Sequence, residues 1–250
     1  MIIAIIPAKG NSVGLPRKNA KRFFDKSLTE LAIESANIDL IDRIFVTTQD
    51  EEIVQQTVMY ELDNAVSDVA ARKVVAIIRP PALLGDDVQV DEVALYTLRQ
   101  IEVLLPQEMI TDVVVLQPTS PLRKAWHVRE ALQSYLNQNI IEEEAIPMLS
   151  VYKSSKYAYQ SDYIGDRLTP IDHDPRYRLG RQEATSNIYV ENGAIYIAPA
   201  DFLKKQKTFR SFNPFFYEMS EAQSIEVDTQ LDLDLAEQYY RSMVNDRNSG

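Results

Sequence analysis

Ile2-Ile3-Ala4-Ile5-Ile6-Pro7-Ala8-Lys9-Gly10-Asn11-Ser12-Val13-Gly14-Leu15-Pro16-Arg17-Lys18-Asn19 is a short apolar strand that runs directly into a loop rich in glycine and cations. An unbroken apolar run fits a central parallel strand buried on both faces, and ligands of open α/β sheets sit beyond the carboxyl ends of such strands. The loop offers backbone amides around Gly10 to Gly14, the small polar side chains of Asn11 and Ser12, and cations at Lys9, Arg17 and Lys18. Such a set suits a polyanion. It lacks the lysine-serine ending of a P-loop and the glycine spacing of the dinucleotide fingerprint, so neither an ATPase nor a dehydrogenase is supported. The expectation is a nucleotide site, set against a solvated loop with incidental lysines.

Working outward, apolar runs alternate with amphipathic ones. Strands are predicted at Ile2 to Ile6, Arg43 to Thr47, Val74 to Ile78, Asp112 to Leu116 and Met148 to Val151, with helices at Leu28 to Ile38, Glu51 to Leu62, Val88 to Leu104 and Trp126 to Leu136. This rhythm predicts an α/β fold with a parallel sheet and right-handed crossovers. Asp50 with Glu51 and Glu52 reads as a helix start. The rhythm fails between about Lys153 and Tyr189, where tyrosines and arginines replace any period, and that stretch reads as an inserted lobe. Ala194 to Ile197, Phe215 to Tyr217 and Ile225 to Val227 then read as strands, and Leu231 to Val244 as a closing helix.

The 250 residues carry a net charge of −11, which repels nucleic acid and anionic membrane, and no basic stripe offsets it. A triphosphate site in such a protein needs local cations, which sharpens the reading of Lys9, Arg17 and Lys18. There is no cysteine, hence no disulfide frame, thiol nucleophile or cysteine zinc site, and two histidines, His127 and His173, do not make a metal centre. With neither a basic n-region nor a run long enough to span a bilayer, the chain is expected to be cytoplasmic.

Three later stretches carry chemistry. In Val115-Leu116-Gln117-Pro118-Thr119-Ser120-Pro121-Leu122-Arg123 a strand ends at Gln117, and Thr119 or Ser120 is expected to cap the following helix. Gln117 is left facing the first loop, where its amide can donate to and accept from a sugar or carboxylate. In Ser224-Ile225-Glu226-Val227-Asp228-Thr229 the period of two puts both carboxylates on one face. Two adjacent acids call for a cation and suit magnesium; a solvated acidic edge, with Asp228 and Thr229 opening the last helix, is the alternative. Glu191-Asn192-Gly193-Ala194-Ile195-Tyr196 reads as a turn at the mouth of a strand. The lobe arginines Arg176, Arg178 and Arg181 either form surface pairs or capture a carboxylate.

These four stretches, in this order and spacing, resemble the acylneuraminate cytidylyltransferases, and the resemblance covers roughly residues 2 to 240. It implies a Rossmann-like nucleotidyltransferase domain at 1–152 and 190–245, a lobe at 153–189 that serves dimerisation and caps the sugar, CTP as substrate, Mg²⁺ as cofactor, and a homodimer. It implies catalytic roles for Lys18, Lys9 and Asp228. A nucleotide pocket is implied from Ala8, Lys9, Gly10, Asn11, Ser12, Lys18, Asn19, Arg79 and Asp86. Sugar contacts are implied at Gln117, Thr119, Ser120, Arg181, Asn192 and Tyr196, and metal contacts at Glu226 and Asp228. The chain departs from the family at Lys9, which stands for an arginine, at Val13, which stands for a lysine, and at Glu226, which stands for the commoner aspartate. Arg17 is the neighbouring cation available to offset the missing charge at Val13. The implied reaction joins CTP to a nine-carbon 2-keto acid sugar and releases pyrophosphate. An eight-carbon sugar acid, or a nucleotide-binding protein that has lost catalysis, are the alternatives.

Overall fold

The computed structural model describes all residues except 13, 64–72, 141–145, 155, 157, 162–166, 172–175, 177–187 and 249–250, and of residues 63 and 243–248 the backbone alone. In chain order the elements are β1 (Ile2–Pro7), β2 (Arg22–Phe23), β3 (Lys26–Ser27), α1 (Leu28–Ala36), β4 (Arg43–Thr48), α2 (Glu51–Asp63), β5 (Val74–Ile78), α3 (Val90–Leu104) and β6 (Asp112–Val115). They continue with α4 (Ala125–Asn139), β7 (Met148–Lys153), β8 (Tyr159–Ser161), β9 (Leu168–Pro170), β10 (Tyr189–Pro199), α5 (Ala200–Gln206), β11 (Phe215–Met219) and α6 (Gln230–Asn248).

A seven-stranded sheet in the order β11-β7-β10-β6-β1-β4-β5 forms the centre. Its strands pair in parallel except β10, which runs antiparallel to both β6 and β7. Because successive side chains alternate across a strand, β1 sends Ala4 and Ile6 to one face and Ile3 and Ile5 to the other. The first pair packs with Ile33 of α1 and Val128 and Leu132 of α4. The second packs with Leu98 and Ile101 of α3 and Leu203 of α5. Burial on both faces explains the continuous apolar runs that mark the parallel strands in the sequence.

A third, smaller core decides where function sits. Leu15 of the first loop, Phe23, Leu28, Leu122, Val227 and Leu233 pack together at one end of the sheet. This cluster draws the segments after β1, after β6 and before α6 to one rim, although they lie far apart along the chain. That rim holds the switch point where the chain leaves β1 for β4 on one side and later returns to β6 on the other.

Three local expectations are corrected. Ile225–Val227 is no strand; Val227 N donates to Thr119 O at 2.8 Å in a single tie, without a ladder. Neither Thr119 nor Ser120 caps α4, which starts at Ala125 with Lys124 N donating to His127 Nδ1 at 2.9 Å. Asn192-Gly193 is no turn but lies inside β10, at a register shift, with Gly193 at φ 67. Asp50 does begin α2, its Oδ1 accepting from the amides of Glu52 and Ile53 at 3.0 and 3.3 Å. Within the stretch read as a lobe, β8 and β9 form a separate two-stranded sheet. Arg178 and Arg181 fall outside the described residues, and among the described ones no helix is long and apolar enough to cross a membrane.

Candidate active site

The loop after β1 is tied down by bonds within itself: the Asn19 side-chain Nδ2 donates to Lys9 O at 2.8 Å and the Lys18 backbone N to Leu15 O at 3.1 Å. Around it lies an open cavity of about 360 Å³ bounded by Lys9, Gly10, Asn11, Ser12, Pro16, Arg17, Leu84 and Asp86. Ala8 is buried in the core at the loop's root. Lys9 is ion-paired with Asp86. Arg17, at φ 56, turns to Asp50 and Glu52 at 3.1 and 2.6 Å. Its charge is thus matched by the start of α2; Val13, beside which it was expected to act, lies outside the described residues.

Lys18 reaches across to the other end of the chain. Its Nζ lies 2.7 Å from Asp228 Oδ1, a contact spanning 210 residues. Lys18 keeps 13% of its side chain exposed and Asp228 keeps 65%, so the ammonium is sheltered and the carboxylate faces solvent. The position of Asp228 is fixed from both sides. Val227 is buried before it, and after it Thr229 and Asp232 form a capping box at the start of α6, with Thr229 N donating to Asp232 Oδ2 at 2.8 Å. Gly14 packs so closely that a Cβ there would come within 2.6 Å of the Asp228 carbonyl oxygen. Gly14→Ala should therefore push the loop and the acidic segment apart, at a cost of about 1–3 kcal/mol, measurable by thermal unfolding.

Glu226 points the same way as Asp228, as the period of two requires. Thr119 Oγ1 donates to Glu226 Oε1 at 3.3 Å. Loss of hydration around the carboxyl and then the negative charge of Asp228 raise its pKa above the ordinary 4.5, against the hydrogen bond from Thr119, which lowers it. A carboxyl with a raised folded-state pKa favours the folded state when protonated, and that advantage is lost as pH rises from 4.5 through the raised value. Glu226→Gln should thus melt slightly higher than the parent at neutral pH. The gain stays small because the residue as a whole is surface-exposed, and it vanishes below pH 4.5.

At the carboxyl end of β6, Gln117 Nε2 donates to Gly193 O at 3.0 Å. Ser120 is buried, and its Oγ has no partner among the described residues. Asn192 is spent internally: its Oδ1 accepts from Ser150 Oγ at 2.6 Å and its Nδ2 donates to Ser224 Oγ at 2.8 Å. This side chain braces β10 against β7 and the acidic segment. Tyr196 is buried, and its hydroxyl donates to Glu191 Oε1 at 2.5 Å. Burial, reinforced by Glu191, pushes that hydroxyl well above the usual phenol range. Arg79 is buried at the end of β5, with Nη2 donating to Thr47 O at 3.1 Å, and burial lowers its pKa to about 10.

Four buried polar atoms near the carboxyl ends of the strands have no protein partner among the described residues: Asn19 Oδ1, Thr47 Oγ1, Arg79 Nε and Ser120 Oγ. Buried polar atoms are rarely left unbonded, and a concentration of them at one rim marks a place built for a polar ligand. The sequence reading missed Arg210. Its guanidinium lies 5.6 Å from the Tyr196 ring centroid and bonds Asp91 at 2.8 Å and Glu191 at 3.1 Å. Its sequence surroundings carry no motif, because α5 intervenes between it and Tyr196.

Comparison with known proteins places the whole chain. The chain is 31% identical over 240 residues to N-acylneuraminate cytidylyltransferase of Streptococcus agalactiae, an overlap of 92% of this chain and 51% of that protein. It thus spans about half the length of the first curated relatives it matches. It is 25% identical to pseudaminic acid cytidylyltransferase of Campylobacter jejuni, over 96% of both chains, and 26% identical to CMP-N,N'-diacetyllegionaminic acid synthase of Legionella pneumophila, over 94% of both. Among solved structures, CMP:2-keto-3-deoxy-manno-octonic acid synthetase complexed with CTP superposes with a TM-score of 0.63 at 15% identity, covering 97% of this chain and 99% of that one. This likeness shows the nucleotidyltransferase fold. The family profile described as cytidylyltransferase matches residues 3–244, and the chain belongs to that family.

Proposed function

We propose that the chain transfers the cytidylyl group of CTP to the anomeric hydroxyl of a nine-carbon 2-keto acid sugar, releasing pyrophosphate. The observation that carries this reading is the Lys18–Asp228 contact at 2.7 Å, which joins the glycine-rich loop to the acidic segment at the switch point of the sheet. In-line attack of a hydroxyl oxygen on the α-phosphorus asks little covalent chemistry of the protein; its tasks are alignment and charge neutralisation. Lys18 stands at the α-phosphate, and Lys9 stands at the leaving pyrophosphate. Each ammonium is held in place by a carboxylate, Asp228 or Asp86, whose role toward it the phosphates take over.

Glu226 and Asp228 fit a divalent cation. They offer only oxygen donors, and Glu226 is raised first by burial and then by the negative charge of Asp228, two effects that a cation between them would oppose. Mg²⁺ held by these two residues would supply charge neutralisation at the phosphates. Gln117, Thr119, Ser120 and Tyr196 line the sugar side, with Asn192 bracing it. Arg181, on the lobe of a second copy, would take the sugar carboxylate in a homodimer, which sedimentation of the chain would test. Use of CTP argues for a cytoplasmic reaction.

The experiment is release of pyrophosphate from CTP, ATP, GTP and UTP with N-acetylneuraminic, legionaminic, pseudaminic and eight-carbon keto acids. Release with CTP and a nine-carbon acid is expected. Preference for the eight-carbon acid, or CTP binding without turnover on any acid, would overturn the reading.

A further inference from the structure

A cavity of about 490 Å³ opens between the β2–β3 hairpin, α1 and the start of α4, and no residue assigned above to nucleotide, sugar or metal lines it. Its lining includes Arg123, which is 2% exposed. The guanidinium donates from Nε to Ser35 Oγ at 3.0 Å and from Nη1 to the carbonyls of Gln117 and Ala194, both at 2.8 Å. All three acceptors are neutral. Among the described residues no carboxylate pairs with it and Nη2 has no bond, and burial lowers its pKa to about 9. A desolvated cation with no counter-charge is costly unless an anion meets it.

One further feature favours an anion at the same place. Lys124, Ala125 and Trp126 line the cavity and form the start of α4, a fifteen-residue helix in which the Lys124 amide is taken by His127 Nδ1 while Ala125 and Trp126 carry the remaining first amides. The amides there and the positive end of the helix dipole attract negative charge. The rim carries charges of both signs: Lys26 and Glu34 pair at 2.8 Å, Asp25 lies near Lys26, and the Lys124 ammonium sits 4.5 Å over the Tyr240 ring.

The walls are aromatic. Trp126 and Phe24 are 44% and 37% exposed, and Tyr240 completes the set. Phe24 holds φ at 58, a left-handed conformation that a bulky residue seldom adopts. Flat rings around a buried guanidinium suit a flat ligand.

We propose that this cavity binds a small planar monoanion, an aromatic or conjugated carboxylate, with its ring between Trp126 and the contacting Phe24–Tyr240 pair, whose centroids lie 5.2 Å apart, and its carboxylate on Arg123 and the first free amides of α4. Trp126 is the only tryptophan of the chain, so its fluorescence reports occupancy directly. The probes are benzoate and its uncharged isostere benzamide, followed by Trp126 emission and by calorimetry, with and without CTP. Benzoate is expected to bind saturably in the low-millimolar range or tighter, to quench Trp126, and to be indifferent to CTP. Benzamide should bind at least about tenfold more weakly. Trp126→Ala, at a partly exposed position, should weaken benzoate at least about tenfold while keeping the parent melting temperature. Equal binding of the two probes, competition with CTP, an unchanged affinity in Trp126→Ala, or no saturable benzoate binding would each overturn the proposal.

Discussion

Lys18→Ala is expected to slow CTP-dependent pyrophosphate release about a hundredfold, the usual cost of removing one preorganised charge from a transition state. The ammonium is sheltered by its surroundings and aimed by Asp228, so its charge meets the phosphate with little rearrangement. Lys18→Arg should not restore the rate, because a planar fork cannot occupy the place of a compact point charge. The melting temperature should change little, since the partner carboxylate is mostly solvated. Steady-state rates with CTP and the acid substrate check this, and turnover by Lys18→Ala at the parent rate would remove Lys18 from the mechanism.

Asp228→Asn should cost about two to three orders of magnitude. The change keeps the shape and deletes one negative charge, so both the hold on Lys18 and the share of the cation site are weakened at once. Combining it with Lys18→Ala discriminates between roles. If both side chains act on the same phosphate, the double variant should be about as slow as the slower single one rather than the product of the two. Multiplicative losses would show that the 2.7 Å contact is incidental to the reaction.

Much of this was legible in the residues. The parallel strands announced themselves because burial on both faces removes every polar residue from Ile3 to Ile6 and from Val113 to Leu116. The sheet edge was harder to read: β10 was visible only as its buried half, Ala194 to Ile197, because Tyr189 to Glu191 are exposed and carry no apolar run. The convergence of Lys18 with Asp228 followed from strand-end logic and from the resemblance, and the geometry bears it out. Ile225–Val227 misled because alternation records which face a residue uses, and an extended loop pinned by Val227 and a capping box alternates as a strand does. Asn192-Gly193 misled because positive φ serves a bulge as well as a turn. Arg17 was read as a loop cation, but its charge is claimed by Asp50 and Glu52, carboxylates whose nearness depends on how α2 packs beside the loop. Arg210 carried no local signal at all; Tyr196, Glu191 and Asp91 meet it only through tertiary packing.

The central claim is that the Lys18–Asp228 rim is where a triphosphate is held. A crystal structure of the chain with CTP tests it most directly. The account predicts the α-phosphate against Lys18 Nζ, the remaining phosphates along Gly10 to Ser12 and Lys9, and the base toward Arg79. CTP bound with its phosphates away from Lys18, and the Lys18–Asp228 pair undisturbed, would contradict it.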